Sequence, residues 1–332
     1  MYFIIKLLFL VILMMKIAVA SHLVLDSIQD VEGRITRSLG GPACYCGLTA
    51  RQFRFEVILA TKVGKDFFSK LNANTLRDHG IAIKDYQISH EFPTTEFEII
   101  LNKDSSRELF LLSKCAPLTV DDIQKIQTDC WLVSPVIDEV PANVLAAIIK
   151  NGGKRNFIMF DPQGYLRSLS YPSPQLQQPF SSFRTPISLV DNLPLDLSGI
   201  TAIKVDREEL VALTGGIEGL VGMQFLQATK GVEFVISTTH NAIHLLHNNV
   251  HYWIGVDVNT SDYTGAGDIL SAAFCCSYIK EKDPLWAICF GAGAVRAALE
   301  TKLTGLNKIP SKSKIEENAS YYYGTIAFQK LQ

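Results

Sequence analysis

Asp262-Tyr263-Thr264-Gly265-Ala266-Gly267-Asp268 stands directly before an apolar run over residues 269–278. Two glycines around a small residue at the mouth of a helix leave successive backbone N–H groups free to converge on one anion, and the positive end of the helix dipole adds to that attraction. A carboxylate in the same turn would repel a resting phosphate, so Asp268 needs a different task. Beside an anion site, its natural one is to accept a proton from an attacking hydroxyl. A plain tight turn capped by an aspartate has the same composition, so the string does not decide the matter alone. The histidines offer less. His22 follows a strand as a single imidazole, and His240, His244, His247 and His251 have no carboxylate at ligand spacing, which argues against zinc.

Such residues need a scaffold. From Lys16 to about Gly305, short β-branched runs alternate with longer amphipathic stretches, the rhythm of a parallel sheet with crossover helices. Core strands are predicted at residues 17–20, 57–61, 130–133, 157–160, 202–204 and 234–237. Ligands of such sheets bind beyond the carboxyl ends of the strands. Segments 23–38 and 86–112 break the rhythm. In the second, residues 94–101 and 108–112 flank a polar turn at 102–107, and both segments read as antiparallel strands of a separate small sheet. Residues 169–186, rich in Ser, Pro and Gln, read as a long surface loop.

With 332 residues, 48% of them hydrophobic, the chain has core enough for one large α/β domain. Its formal charge of −2, without an extended basic run, gives no electrostatic reason to bind nucleic acid. The seven cysteines contain no CxxC pair and lie in apolar surroundings, as buried, reduced thiols of a cytoplasmic protein do. Residues 1–14 are almost wholly apolar. Reading them as a signal peptide or an anchor would consume the strand at 17–20. The folded domain is therefore expected to span residues 15–332 from Met15, with the leader an artefact of start-site choice and membrane association not expected unless that leader is genuine.

Over nearly its whole length from Lys16 the chain resembles the ribokinase-like (PfkB) carbohydrate kinases, and the Thr264–Asp268 string is the most specific point of likeness. The resemblance implies that Asp268 is the catalytic base, that the amides of Gly265, Ala266 and Gly267 form the anion hole, and that Thr264 lies beside the phosphates. Gly40-Gly41-Pro42-Ala43 and residues 62–67 resemble the family's N-terminal signature, where Gly40 and Gly41 would let the backbone approach the substrate. Asp26 falls where the family binds substrate hydroxyls, although a turn residue after a strand would look the same. Thr94, Thr95 and Arg107 match its lid hairpin, so segments of about 22–45 and 84–112 would form a cover that excludes water during transfer. Residues 206–209, Asp-Arg-Glu-Glu, stand at the position of a family motif whose glutamate organises Mg²⁺ and its waters near ATP. This makes Glu209 the implied water-mediated metal partner, with Lys204 and Asp206 on the nucleotide side; an ordinary acidic first helical turn is the plain alternative. Gln163 and Arg167 resemble substrate-side positions of several sugar kinases, including relatives that phosphorylate polyols such as myo-inositol.

Three departures stand out. Tyr45 replaces a substrate-contacting asparagine, changing volume and hydrogen-bonding capacity, and should shape the acceptor side without touching the phosphate machinery. The nucleotide-side Thr-x-Gly-x-x-Gly loop appears as residues 237–242 without either glycine, which leaves Ser237 and Thr239 as nucleotide contacts by position only. Asp206 replaces an asparagine and adds negative charge that a metal would offset. No G-x-G-x-x-G follows the first strand, so a dinucleotide-dependent oxidoreductase is a weak rival. The expectation is an α/β fold with a mostly parallel central sheet, helices on both faces and a small β-sheet lid, moving the γ-phosphate of ATP, with Mg²⁺, onto a hydroxyl of a sugar or polyol. A nucleoside acceptor, on which Tyr45 and Phe97 could stack, and an idle sugar- or nucleotide-binding regulator are the alternatives. A homodimer through the lid is the expected assembly.

Overall fold

Alternate residues of the central strands pack on opposite sides of one sheet. Ile17 and Val19 join one apolar cluster while Ala18 and Ala20 join another; Cys130 and Leu132 part from Trp131 and Val133 in the same way, as do Phe157 and Met159 from Ile158 and Phe160. Strands buried on both faces read as continuous apolar runs, which is why the sequence marks them so plainly. The computed structural model describes residues 14–70, 74–104, 106–152, 156–169, 184–193, 195–258, 260, 262–301 and 303–332. Apart from Met14, the apolar leader lies outside the described residues.

Among the described residues the central sheet has nine strands. In spatial order they are Ala327–Lys330, Val250–Gly255, Ala242–His247, Phe234–Thr238, Ala202–Asp206, Phe157–Phe160, Cys130–Val133, Lys16–Ala20 and Glu56–Ala60. The six from Phe234–Thr238 onward are parallel, and the other three continue the sheet antiparallel. A two-residue turn at Asn248 and Asn249, both at positive φ, joins Ala242–His247 to Val250–Gly255. Helices Gly41–Gln52, Ala266–Glu281, Pro284–Leu299 and Lys312–Thr325 cover one face, and Ala142–Gly152, Arg207–Thr214 and Gly219–Lys230 the other. No single helix among the described residues is long and apolar enough to cross a membrane.

A second sheet, of six strands among the described residues, forms the lid, in the order Arg167–Leu169, Thr185–Leu189, Arg107–Ser113, Thr95–Leu101, Val24–Gln29 and Ile35–Gly40. Three features differ from the sequence reading. Val24–Gln29 and Thr95–Leu101 pair in parallel, because a helix and a strand of the central sheet intervene between them and bring the chain back to the same edge. The ends of the expected loop 169–186 are lid strands, while its residues 170–183 lie outside the described residues. Residues 41–45 of the expected lid segment belong to the helix Gly41–Gln52 instead, with Pro42 in its first turn.

Candidate active site

The cleft between lid and central sheet, about 900 Å³, lies at the carboxyl ends of the parallel strands. On its sheet side Gly265, at φ 77°, caps the helix Ala266–Glu281. That left-handed turn suits glycine, and it leaves no room for a side chain: a Cβ on Gly265 would stand 2.6 Å from the Tyr45 ring. Among the described residues the N–H groups of Gly265, Gly267 and Asp268 have no hydrogen-bond partner, as the first turn of a helix requires. Ala266 departs from expectation. Its N–H donates to the Tyr263 carbonyl at 3.1 Å and closes the turn, so the free amides facing the cleft are those on either side of it and that of Asp268.

Asp268 lies one turn into this helix and is 8% exposed. Burial pushes its carboxyl up to about 7, and Asp161 adds to the rise; Lys204, Arg167 and Arg107 oppose it. Gln163 Nε2 reaches Asp268 Oδ1 at 3.5 Å, a long contact, and Ser134 Oγ at 3.1 Å. Arg167, which also lines the cleft, holds this glutamine. One of its nitrogens donates to Gln163 Oε1 at 2.8 Å and the other to the Val136 carbonyl at 2.8 Å. Val136 is itself tied down by the buried Glu139, whose carboxylate accepts from the N–H groups of His22, Val136 and Ile137 at 2.7–3.0 Å. His22 is a fully buried packing residue that bonds the Ala116 carbonyl and the Thr95 hydroxyl.

Beside Asp268, Lys204 Nζ stands 2.7 Å from Asp161 Oδ2 and 3.8 Å from Glu209 Oε2. Burial works against this ammonium, yet Asp161 and Glu209 outweigh it and hold its pKa above the ordinary lysine value. A Cβ on Gly267 would come within 3.1 Å of Lys204 Nζ, so the absence of a side chain brings the ammonium up to the anion turn. Asp206 and Glu209 form a reciprocal cap: Asp206 accepts from Glu209 N–H at 2.8 Å, and Glu209 from Asp206 N–H at 2.8 Å. Each keeps one oxygen outside that cap, and both residues line the cleft. No cluster of three or more His, Cys, Asp or Glu among the described residues is arranged to hold a metal. The carboxylate oxygens that Asp206 and Glu209 keep outside their cap are donors of the kind a hard ion such as Mg²⁺ takes, in part through its waters.

The lid contributes Asp26, 5% exposed, whose carboxyl burial likewise pushes up to about 7 while Arg107 and Arg167 pull it down. Gly40 does not line the cleft but makes room for this carboxylate: a Cβ there would stand 1.7 Å from Asp26 Oδ2. Gly41 and Tyr45 line the floor. Tyr45 meets both walls, since its ring underlies Gly265, and among the described residues its buried hydroxyl has no partner. On the nucleotide side Thr239 lines the cleft with Thr238 and His240, whereas Ser237 is buried within its strand and does not. Beyond them the wall is apolar, formed by Ala242, Ile243, Val256, Leu270, Val295 and Leu299. Sequence reasoning missed Lys308, which bonds Asp262 and Thr264 from behind, because a lysine in a polar stretch carries no mark of burial.

A two-sided α/β sheet, a β-sheet lid, and a carboxylate among free helix-terminal amides in the cleft between them are what phosphoryl transfer to a small molecule calls for. The chain matches the pfkB family of carbohydrate kinases over residues 12–312, and it belongs to that family. No curated protein matches it. Among solved structures it is similar to a pyrophosphate-dependent kinase of the ribokinase family in a sulfate complex (TM-score 0.73, 20% identity, 91% of this chain and 99% of that one). It is also similar to ribokinase from Thermotoga maritima (0.69, 17%, 92% and 99%) and to the nucleoside kinase of Methanocaldococcus jannaschii (0.68, 18%, 93% and 99%). At these identities the likeness is one of fold.

Proposed function

We propose that this carbohydrate kinase transfers the γ-phosphate of ATP to a hydroxyl of a sugar or polyol, with Asp268 as general base. The observation that carries the reading is the placement of Asp268, poised near neutrality, among free amides in the cleft that Asp26 also lines. Asp26 would accept hydrogen bonds from acceptor hydroxyls, and the amides of Gly265, Gly267 and Asp268 would take up the charge that grows on the transferring phosphoryl group. Lys204 would neutralise phosphate beside them. Mg²⁺, reached through water from Glu209 and Asp206, would supply charge neutralisation along the donor phosphates.

ATP is favoured over pyrophosphate by the apolar wall at Ile243, Val256, Val295 and Leu299, which fits a flat base and has no use for a bare diphosphate. The seven cysteines, all free and buried, fit a reducing compartment such as the cytoplasm. A nucleoside acceptor is the second reading, favoured by the apolar lid face of Phe97, Ile99, Leu109 and Ile187. A homodimer would use the outer lid strand, where Ile35 is exposed. The deciding experiment offers a panel of sugars, polyols and nucleosides with ATP or pyrophosphate and follows phosphorylated product. Turnover with ATP and a sugar or polyol is expected; turnover with pyrophosphate alone would remove ATP as donor, and preference for nucleosides would promote the second reading.

A further inference from the structure

We propose that the ammonium of Lys308 is a built-in cation that aims the anion-binding turn, which makes Lys308 a positioning residue for phosphoryl transfer; the inference rests on the kinase reading above. Lys308 ends the one-turn helix Gly305–Lys308 and is 1% exposed. Its Nζ donates to Asp262 Oδ2 at 2.8 Å, to the Asp262 carbonyl at 3.1 Å and to the Thr264 carbonyl at 3.1 Å. An ammonium has three donors, and all three are engaged on oxygens of one turn. Asp262 Oδ1 accepts from Thr264 N–H at 2.9 Å, so the carboxylate ties the turn to itself as well as to the lysine.

The consequence lies in one peptide plane. The Thr264 carbonyl and the Gly265 N–H belong to the same trans peptide unit and point in opposite directions. Drawing that carbonyl back onto Lys308 therefore turns the Gly265 N–H away from the lysine, and Gly265 and Thr264 both line the cleft. Among the described residues the buried Thr264 Oγ1 has no partner, and what holds this residue there is its carbonyl on Lys308 and its N–H on Asp262. Burying an ammonium is costly unless oxygens close around it. Here they do, and the oxygen cage thus created would accept any small cation of similar size if the lysine stem were removed.

The test compares parent, Lys308→Ala and Lys308→Met on the best acceptor with ATP, with and without added ammonium, methylammonium or potassium. Lys308→Ala should lower kcat about 10- to 100-fold, the scale of a misaimed catalytic group, with the acceptor KM little changed. One of the cations should restore kcat saturably, while Lys308→Met, whose apolar stem fills the cage, should stay low with all of them. A folded Lys308→Ala protein with parental kcat, or one that no cation restores, would overturn the proposal. Should Lys308→Ala lack a cooperative melting transition, Lys308→Gln keeps most of the stem and two N–H donors without the charge, and an unchanged kcat there would overturn it equally. Pyrophosphate affinity measured by calorimetry needs no turnover and separates this idea from the kinase reading. If no acceptor works with the parent, that reading fails, yet the turn should still bind pyrophosphate at least about tenfold more weakly in Lys308→Ala, and equal affinity would overturn the role of Lys308.

Discussion

The two walls of the cleft are held in different ways. The turn at residues 262–268 is braced from behind by Lys308, from below by the Tyr45 ring, and one turn on by Cys46, whose thiol donates to the Asp268 carbonyl at 3.4 Å. The lid wall carries Asp26 on a strand whose neighbour, Ile35–Gly40, is exposed over its first half, and no side chain among the described residues donates a hydrogen bond to the Asp26 carboxylate. The phosphate side is thus preorganised, as electrostatic stabilisation of a transition state requires, while the acceptor side is free to adapt. Changes to the first wall should strike kcat, and changes to the second should strike selectivity.

The largest effect is expected at Asp268. Asp268→Asn should reduce kcat by two to four orders of magnitude, roughly the worth of a general base, with nucleotide affinity kept. It should also melt at a higher temperature than the parent at pH 8. A carboxyl whose folded pKa of about 7 lies above its ordinary 3.8 stabilises the fold below the lower value and loses that contribution as pH rises through the higher one. The amide has no charge to bury, and the gain is at most about 4 kcal/mol for a shift of this size. Parental turnover, or a lower melting temperature at pH 8, would contradict this account.

Asp26→Asn should come next and fall on the other wall. Losing charge-assisted hydrogen bonds to acceptor hydroxyls is worth about 1.5–3 kcal/mol, so kcat/KM for the acceptor should drop roughly 10- to 100-fold while the KM for ATP holds. Equal losses for both substrates would erase the distinction between the walls.

The pH profile ties the two carboxylates together. Both must be ionised to act and both lie near 7, so kcat/KM for the acceptor should fall at least about tenfold per unit as pH drops below that value. Stability of the free enzyme, by the sign argument above, should run the other way and be greater at pH 5 than at pH 8 on account of these groups. A profile flat from pH 5 to 8 would mean that neither carboxylate is held as the structure places it.

What could be read from the chain follows the range of the interactions. The six central strands were visible because burial on both faces leaves local apolar runs, and each lies within two residues of its predicted span. The parallel pairing of Val24–Gln29 with Thr95–Leu101 was not visible, since nothing local distinguishes it from a hairpin. The turn before Ala266 announced itself through its glycines, but the engagement of the Ala266 amide depends on the turn closing on Tyr263. Ser237 and Thr239 differ only in where their strand ends. Lys308 and Tyr45 reach the turn from 44 and 220 residues away, distances at which composition carries no signal.

Tyr45→Phe carries the smallest expected effect and probes the point where the walls meet. The ring that supports Gly265 is kept, so kcat with the best acceptor should stay near the parental value. What is lost is a buried hydroxyl with no partner among the described residues, and removing an unsatisfied buried polar group is favourable by about 1 kcal/mol. The variant should therefore melt slightly higher than the parent in the absence of ligands. The sequence alone suggested that Tyr45 shapes only the acceptor side; the contact with Gly265 joins it to both, and the phenylalanine separates the two tasks. Across the acceptor panel at saturating ATP, acceptors that bond the hydroxyl should lose affinity in the variant while the others keep theirs. A changed ranking at constant kcat assigns the hydroxyl to acceptor choice. A lowered kcat for every acceptor would show that the hydroxyl, and not the ring, supports the turn.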